Sequence, residues 1–398
     1  MGKQPTRNIL VTFDISSIAG RDQLSGVLKY LHTRPDWIPR LVSRPADFTP
    51  EIVHNAKREM IDGIIINHAG SPETEEELVQ SDIPLAVIGI RNPKLLARTQ
   101  SIAFIRNDNI ETGRVAARYF RSLGNFRSFG YIPASQTGEE WSLSRAEGFR
   151  AELAAAEAEV SVFTCAANVG TEVSRRELAV WLKALPKPAA VLAAWDYPAI
   201  QALEICRAES IKVPHDIAVL GVDNDPLLCE STVPALSSIH TGGYRRGQIA
   251  AEMLDALMHG RRPARRAVAL PPLSVVTRGS TGYDAMKNPA IARAVTFIRS
   301  HAATGGVSVP AVARAAGCSR SYLDKHFRSG LGLSVREAVL RERIERVKTL
   351  VSSTNRTMTE IAADCGFARD SHLARLFKET TGLTMRQWRR ENHETPDE

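Results

Sequence analysis

The sequence predicts an α/β region of two lobes, each a parallel sheet flanked by helices, followed by an all-α region with two helix-turn-helix motifs. Three observations carry this expectation. Short apolar runs alternate with amphipathic segments up to about residue 281, as parallel sheets require, because their strands need crossover connections and are covered on both faces. The predicted strands then stop near Asp284, and helical periods dominate to Arg390. Within that helical region a stretch of sequence recurs, and a repeat is weighed before any other fold signal.

In chain order the strands read as Ile9 to Phe13, Gly63 to Ile66, Leu85 to Ile88, Phe129 to Ile132, Ala190 to Ala193 and Ile217 to Val222. Helices between them read as Gln23 to Leu31, Thr112 to Leu123, Arg145 to Ala156 and Tyr197 to Glu209. There are enough units for two sheets, so residues 1–281 form the two-lobed domain. The polar stretch Arg278 to Asn288 marks its end, with a linker over 282–290 and a helical domain over 291–391. Ligands of open α/β folds sit outside the carboxyl ends of the strands. Asp14 after the first strand, Asp196 after the run Ala190 to Trp195 and Asp223 after Ile217 to Val222 are the first candidates.

Composition narrows the class. At 398 residues the chain is long enough for two or three domains, given about 100–200 residues per domain. No stretch approaches the roughly 20 apolar residues that cross a bilayer, so no membrane association is expected. Residues Met1 to Arg7 lead straight into the first strand without an apolar signal core, which points to the cytoplasm. The five cysteines, Cys165, Cys206, Cys229, Cys318 and Cys365, are widely spaced with no C-x-x-C pair. They read as structural thiols, not as disulfides or a metal site. From Ala285 to the end there are 19 Lys and Arg against 12 Asp and Glu, a net of +7 that equals the charge of the whole chain. The excess therefore sits in the C-terminal quarter, where it favours a polyanionic partner.

The repeat lies in that basic quarter. One copy runs Val312-Ala313-Arg314-Ala315-Ala316-Gly317-Cys318-Ser319-Arg320-Ser321-Tyr322-Leu323-Asp324-Lys325-His326-Phe327-Arg328. The other runs from Ile361-Ala362 through Gly366-Phe367 to Leu373 and Phe377-Lys378, with one extra residue in its turn. Each has an apolar residue and Ala for close helix packing and a Gly where the turn needs positive φ. Ser319 caps the second helix of the first copy. The motifs span about 308–328 and 358–379. With Leu323 and Phe327 inside, Ser321, Asp324, Lys325 and Arg328 face outward; with Leu373 and Phe377 inside, Ser371, Arg375 and Lys378 do. Those faces suit a major groove, so double-stranded operator DNA is the expected partner, with Arg320 and Arg369 at the helix starts. The charged segment Arg336 to Leu350, free of Pro and Gly, reads as a rigid helix spacing the two readers.

Residues 291–390 resemble the DNA-binding domain of the AraC/XylS family through Ile361-Ala362, Gly366-Phe367, Phe377-Lys378, Gly382 and Trp388-Arg389. Met385 and Trp388 stand where that family usually has Pro and Tyr. The resemblance places Ser321, Asp324 and Lys325 at base-facing positions of the first recognition helix, and Ser371 and Arg375 at those of the second. Arg375 is the candidate for a guanine contact, because a bidentate Arg to O6 and N7 is the commonest specific pairing.

The front region is similar to the periplasmic-binding-protein fold used as the sensor of LacI/GalR-type regulators. The residues concerned are Arg106-Asn107-Asp108-Asn109, the run Trp141 to Arg150, and Val219-Leu220-Gly221-Val222-Asp223-Asn224-Asp225. Sensor first and AraC-type reader last is the order of the xylose operon regulators, which this chain resembles along its length. The resemblance implies a regulator, an activator in sense, with a sugar effector, a homodimer formed near Arg44 to Asn67, and RNA polymerase as a further partner. A neutral sugar needs Asp, Asn and Arg for its hydroxyls and an aromatic face for its C–H surface. Asp14, Asp196 and Asp223 supply some of that set from post-strand positions, and the resemblance adds Arg145 and Trp141. Arg21 and Asp22 join them, in the order Arg21-Asp22-Gln23 where the xylose regulators tend to carry Asp-Arg-Gln. Plainer roles stand beside these: Asp223 as a turn cap, Trp141 as core, Asp14 paired with Arg21.

Other function classes are poorly served. The sequence has no phosphate-binding G-x-x-x-x-G-K-[ST] loop, no G-x-S-x-G elbow and no H-E-x-x-H pair, so neither catalysis, a metal nor a cofactor is expected. An exported sugar-binding protein would not need the basic tail. A different small ligand or a sugar acid for the sensor, and a methyl-accepting DNA-repair regulator, remain as alternatives. In the expected mechanism the sugar closes a hinge between two lobes and shifts a dimer between arrangements of its readers.

Overall fold

The computed structural model describes residues 6–392 apart from 69, 90–92, 98–100, 135–138, 156, 166–170, 262, 264, 283–288, 302–306, 332–333, 355, 368 and 382. Most of the expected linker, and Gly332, Leu333 and Gly382 of the repeat, thus lie outside the described residues. The strands are β1 (Arg7–Thr12), β2 (Trp37–Val42), β3 (Ile61–Ile66), β4 (Leu85–Ile88), β5 (Ile102–Asn107), β6 (Ser128–Ile132), β7 (Val160–Val162), β8 (Ala189–Ala193), β9 (Ile217–Val222), β10 (Ser237–His240), β11 (Ala267–Leu270) and β12 (Ser274–Val276). The helices are α1 (Ile18–Leu31), α2 (Pro50–Asn55), α3 (Pro72–Gln80), α4 (Pro93–Ala97), α5 (Asn109–Leu123), α6 (Glu140–Ala154), α7 (Glu172–Ala184), α8 (Asp196–Ala208), α9 (Pro226–Glu230) and α10 (Gly243–Met258). The C-terminal region adds α11 (Pro289–His301), α12 (Val309–Ala316), α13 (Arg320–Leu331), α14 (Val335–Ser353), α15 (Met358–Asp364), α16 (Asp370–Thr381) and α17 (Met385–Asn392).

These elements form two units. The first takes the chain up to Asp108 and again over Gly242–Pro271, and the second takes Asn109–Thr241 and everything from Pro272 onward. The chain therefore passes between them at three places. In the first unit the sheet order is β11-β5-β4-β3-β1-β2, parallel throughout. Alternate residues bury opposite faces: Leu10, Ile64, Ile66, Val87 and Phe104 enter one core, and Ile9, Val11, Ile65, Ala86 and Ile105 the other. Both faces are covered, which is why these strands read as unbroken apolar runs.

The sheet of the second unit runs β12-β10-β9-β8-β6-β7, parallel except for the antiparallel β10/β12 edge. Phe129, Tyr131, Leu192, Leu220 and Ile239 face one core, while Ile132, Val191, Ala193, Ile217 and Val219 face the other. Helices α5 and α6 press together on glycines. A Cβ on Gly148 would lie 1.9 Å from the Ile110 carbonyl oxygen, and one on Gly113 would lie 2.1 Å from that of Arg145. Gly148→Ala is therefore expected to push α6 off α5, at about 1–3 kcal/mol for overpacking. A lower melting temperature checks this, and an unchanged one would show that the two helices separate at no cost.

The helical region repeats its turn in backbone detail. Gly317 has φ +66° and Gly366 φ +72°, the left-handed conformation that glycine adopts cheaply. The Cys318 amide donates to the Ala313 carbonyl at 3.1 Å, and the Phe367 amide to that of Ala362 at 2.9 Å. Ser319 accepts from the Tyr322 amide at 3.2 Å and so caps α13. At the matching place before α16 stands Arg369, whose carbonyl accepts from Leu373 as that of Ser319 does from Leu323. Capping boxes open α14 (Ser334 with Glu337) and α15 (Thr357 with Glu360), each closing two orphan amides. Helix α14 serves both motifs: Val335, Ala338 and Val339 pack with Leu323 and Phe327, and Ile344, Val347 and Val351 with Leu373 and Phe377. One helix thus belongs to both cores and fixes the spacing of the two readers. No helix among the described residues is long and apolar enough to cross a membrane.

Candidate ligand-binding and DNA-reading sites

In the second unit the side chain of Arg145 leaves the middle of α6 and is almost wholly buried, at 3 % exposure. Its Nε donates to Asn109 Oδ1 at 3.0 Å, its Nη1 to the Ala194 carbonyl, and its Nη2 lies 3.9 Å from Asp223 Oδ1. The guanidinium carbon stands 4.8 Å from the centre of the Trp141 ring, a cation–π distance. Trp141 is itself fixed by its Nε1, which donates to Glu139 at 2.7 Å. Arg145 is thus held in one place by groups from several elements. Such preorganisation lowers the ordering cost of binding.

Asp223 follows β9 with φ +99°, and Asn224 follows with φ +57°. Two successive non-glycine residues at positive φ cost free energy and mark a place where surroundings dictate the backbone. The Asp223 amide donates to the Ile239 carbonyl at 2.8 Å, and Thr241 Oγ1 donates to Asp223 Oδ1 at 3.3 Å. Asp223 keeps 20 % of its side chain exposed.

Asp196 differs, being 1 % exposed. Its Oδ2 accepts from the Asp225 amide at 2.8 Å and from Cys229 Sγ at 3.6 Å, and its Oδ1 accepts from Ser238 Oγ at 2.5 Å. Burial, reinforced by the charge of Asp223, pushes its carboxyl up to about 7. Asp196 therefore faces inward. The residue before it was not singled out from the sequence: Trp195 is half-buried two residues after the end of β8, its ring 5.6 Å from that of Tyr197. Asn109 was likewise read only as a member of a motif. A post-strand aromatic was the available signal for Trp195, and it lay hidden beside the more conspicuous Asp.

In the first unit, Asp14 sits just beyond β1. Its Oδ1 accepts from the amide and hydroxyl of Ser16 at 3.0 and 2.6 Å, and its amide donates to Asn67 at 3.1 Å. Arg21 turns back and donates to the carbonyls of Ile15 and Ser16 at 3.0 and 2.9 Å, bracing the loop that carries Asp14. Asp22 packs against the start of α10, where a Cβ on Gly243 would meet its own Cβ at 2.7 Å. Two further polar groups end strands of this sheet. Among the described residues His68 Nδ1 and Asn107 Oδ1 are buried without a hydrogen-bond partner, and His68 Nε2 lies 2.9 Å from Thr12 Oγ1. Burial lowers the His68 pKa, against a smaller opposing effect of Asp14. Orphaned buried polar atoms call for an explanation, and a hydroxyl-bearing ligand is one.

On α13, Ser321, Arg320 and Lys325 are exposed, and Asp324 is half-buried with Arg320 Nε 3.7 Å from its carboxylate. The side chain of Arg328 lies outside the described residues. The rings of Tyr322 and His326 are 4.2 Å apart on the same helix. On the second motif Arg369, Ser371 and Arg375 line one open concavity together with His372, a neighbour the sequence reading passed over. Arg375 Nη1 reaches Glu379 at 2.9 Å, and Lys378 is exposed. Leu323, Phe327, Leu373 and Phe377 are fully buried, so these polar residues occupy the solvent face. Among the described residues no group of His, Cys, Asp or Glu is arranged to hold a metal ion.

Comparison with known proteins adds to this geometry. Residues 117–281 match the model of the periplasmic binding protein-like domain, and residues 312–391 that of a helix-turn-helix domain. The chain is 28 % identical over 391 residues to the xylose operon regulatory protein of Escherichia coli strain K12, covering 97 % of each. It is 26 % identical over 388 residues to the protein of the same name from Haemophilus influenzae, covering 96 % of this chain and 97 % of that one. A solved structure described as the xylose-binding transcription activator xylR aligns over 98 % of this chain and 100 % of its own, with TM-score 0.61 and 25 % identity.

Proposed function

We propose that this chain, a DNA-binding transcription regulator in which a periplasmic-binding-protein-like sensor precedes a helix-turn-helix reader, is controlled by a small neutral sugar, D-xylose or a close relative. The observation that carries the proposal is Arg145 held against Asp223 in a buried polar cluster beside Trp141. Arg145 already has a carboxylate opposite it, so the pair presents donors and acceptors with little net charge. That suits hydroxyls better than a sugar acid. The names of the relatives covering the whole chain point to the same ligand class. In the second unit Arg145, Asp223, Asn109, Trp141 and Trp195 are the sugar contacts. In the first unit Arg21 braces the loop that carries Asp14, and Asp22 lies against the start of α10.

The reader binds operator DNA through α13 and α16, with Arg320, Ser321, Lys325, Arg369, Ser371, Arg375 and Lys378 on the DNA side. A homodimer carries two such readers. Sugar shifts it between arrangements, and the shift requires a higher affinity for one state than for the other. The protein acts in the cytoplasm as an activator that engages RNA polymerase, catalyses no reaction and needs no cofactor beyond its effector.

A thermal-denaturation series with D-xylose, L-arabinose, D-glucose and D-xylonate tests the ligand. D-xylose should raise the melting temperature saturably, by about 2.7 kcal/mol of stabilisation at a hundred times Kd. A shift with the acid alone would overturn the neutral-sugar reading.

A further inference from the structure

Asp196 stands out in the second unit as a buried carboxylate whose oxygens are all engaged by protein groups. Its partners have a pattern. Oδ2 holds the amide of Asp225, and Oδ1 accepts from Ser238 Oγ. The same Ser238 oxygen accepts from the amide of Asn224 at 3.0 Å. The two amides after Asp223 are therefore tied, one directly and one through a hydroxyl, to a single side chain. Gly221 makes the approach possible, since a Cβ there would lie 2.3 Å from Asp196 Oδ1. Arg278 completes the clamp by donating to Asn224 Oδ1 at 2.9 Å.

The segment so held is the one with two consecutive left-handed residues, Asp223 and Asn224. A backbone of that kind persists only where its surroundings over-determine it. We infer that Asp196 is a positioning residue: it does not touch the effector but holds the Asp223–Asp225 loop, through Ser238 and the Asp225 amide, in the conformation that presents Asp223 to Arg145. This rests on the reading that Arg145 and Asp223 bind the effector. It also reassigns Asp196, which the sequence placed among the ligand contacts.

The charge on Asp196 then matters to binding. The titratable and charged groups facing it are Asp223 and Asp225 on the loop, Cys229 on α9, and Arg278, whose charge reaches Cys229. With its carboxyl raised to about 7 by burial and by the charge of Asp223, Asp196 gains charge as the pH rises through neutrality. An ionised acceptor makes hydrogen bonds roughly twice as strong as a neutral one, so the loop is gripped more firmly at the higher pH. Effector affinity should rise accordingly.

The test uses the full chain with Asp196→Asn, which fixes the neutral state, and Ser238→Ala, which removes the bridge while leaving the carboxylate. Without ligand, deuterium uptake over residues 223–228 should rise about tenfold in both variants, with α5 and α6 unchanged. D-xylose titrations at pH 6, 7 and 8 should show affinity rising with pH in the parent. It should be weaker by about tenfold and pH-independent in D196N, and weaker but still pH-dependent in S238A. Unchanged uptake in both variants overturns the inference, as does D196N binding D-xylose with the parent's affinity and pH profile. If the parent binds no D-xylose, the sugar reading fails by itself, and the uptake result alone decides the role of Asp196.

Discussion

Arg145→Ala should abolish the response to sugar while leaving operator binding measurable. The side chain is 3 % exposed and touches Asn109, the Ala194 carbonyl, Asp223 and the face of Trp141. Truncating it removes the proposed effector contact and leaves Asp223 without its counter-charge. Breaking a buried ion pair from one side costs about 3–5 kcal/mol, and each 1.4 kcal/mol of binding is tenfold. Some of the cost falls on the fold, so a loss of at least about a hundredfold in D-xylose affinity is expected. Calorimetric titration of the sugar and gel-shift titration of the operator separate the two effects. Arg145→Lys keeps the charge but loses the planar fork, and should fall between parent and alanine. Unchanged sugar affinity in Arg145→Ala would remove this residue from the site, and loss of operator binding without sugar would make its role structural.

Much of this architecture was legible because burial leaves a strong pattern. Leu85 to Ile88 and Ile217 to Val222 coincide with β4 and β9, since strands covered on both faces are apolar throughout. Helix starts were placed late: α5 begins at Asn109 and α6 at Glu140, several residues before the apolar period becomes visible. Outside the expected set lie the interior strands β5 and β10 and the edge strands β2, β7, β11 and β12. In β2 the four inner residues Ile38 to Leu41 are exposed, and Pro39 interrupts the pattern, as suits an edge that must not pair further. The helix-turn-helix repeat was readable down to its turns, where Gly317 and Gly366 both take the expected positive φ.

The sensor site was less legible, and the reason is geometric. Asp14, Asp196 and Asp223 all follow strands, and sequence position alone cannot tell an inward carboxylate from an outward one. Burial separates them: Asp196 is spent on the Asp225 amide, Cys229 and Ser238, whereas Asp223 keeps an exposed edge opposite Arg145. Arg21 donates to the carbonyls of Ile15 and Ser16, a loop-bracing role that its place in the sequence does not reveal. Asn107 was read only as a member of a motif and His68 not at all, because an orphaned polar atom has no signature in a residue string.

Arg375→Ala should weaken binding to the cognate operator by about 1–3 kcal/mol, roughly 5- to 150-fold, with little change on unrelated DNA. The residue lies on the solvent face of α16, beside Arg369 and Ser371 and across the helix from buried Leu373 and Phe377, each two residues away. Its guanidinium meets Glu379 at 2.9 Å, an exposed i,i+4 pair worth at most about 0.5 kcal/mol. That cost is small beside a bidentate contact to a guanine edge, so the pair holds Arg375 ready without trapping it. Arg375→Lys should recover little, because a lysine cannot make two parallel bonds to O6 and N7. Lys378→Ala provides the contrast: as a phosphate contact it should weaken all sequences alike and lower the salt slope by about 1. Gel-shift or anisotropy titrations on operator and unrelated duplexes, repeated at several salt concentrations, resolve the two patterns. If Arg375→Ala lost equally on both duplexes and reduced the salt slope as Lys378→Ala does, its role would be phosphate anchoring, and the reading of sequence would pass to Ser371, Arg369 and α13.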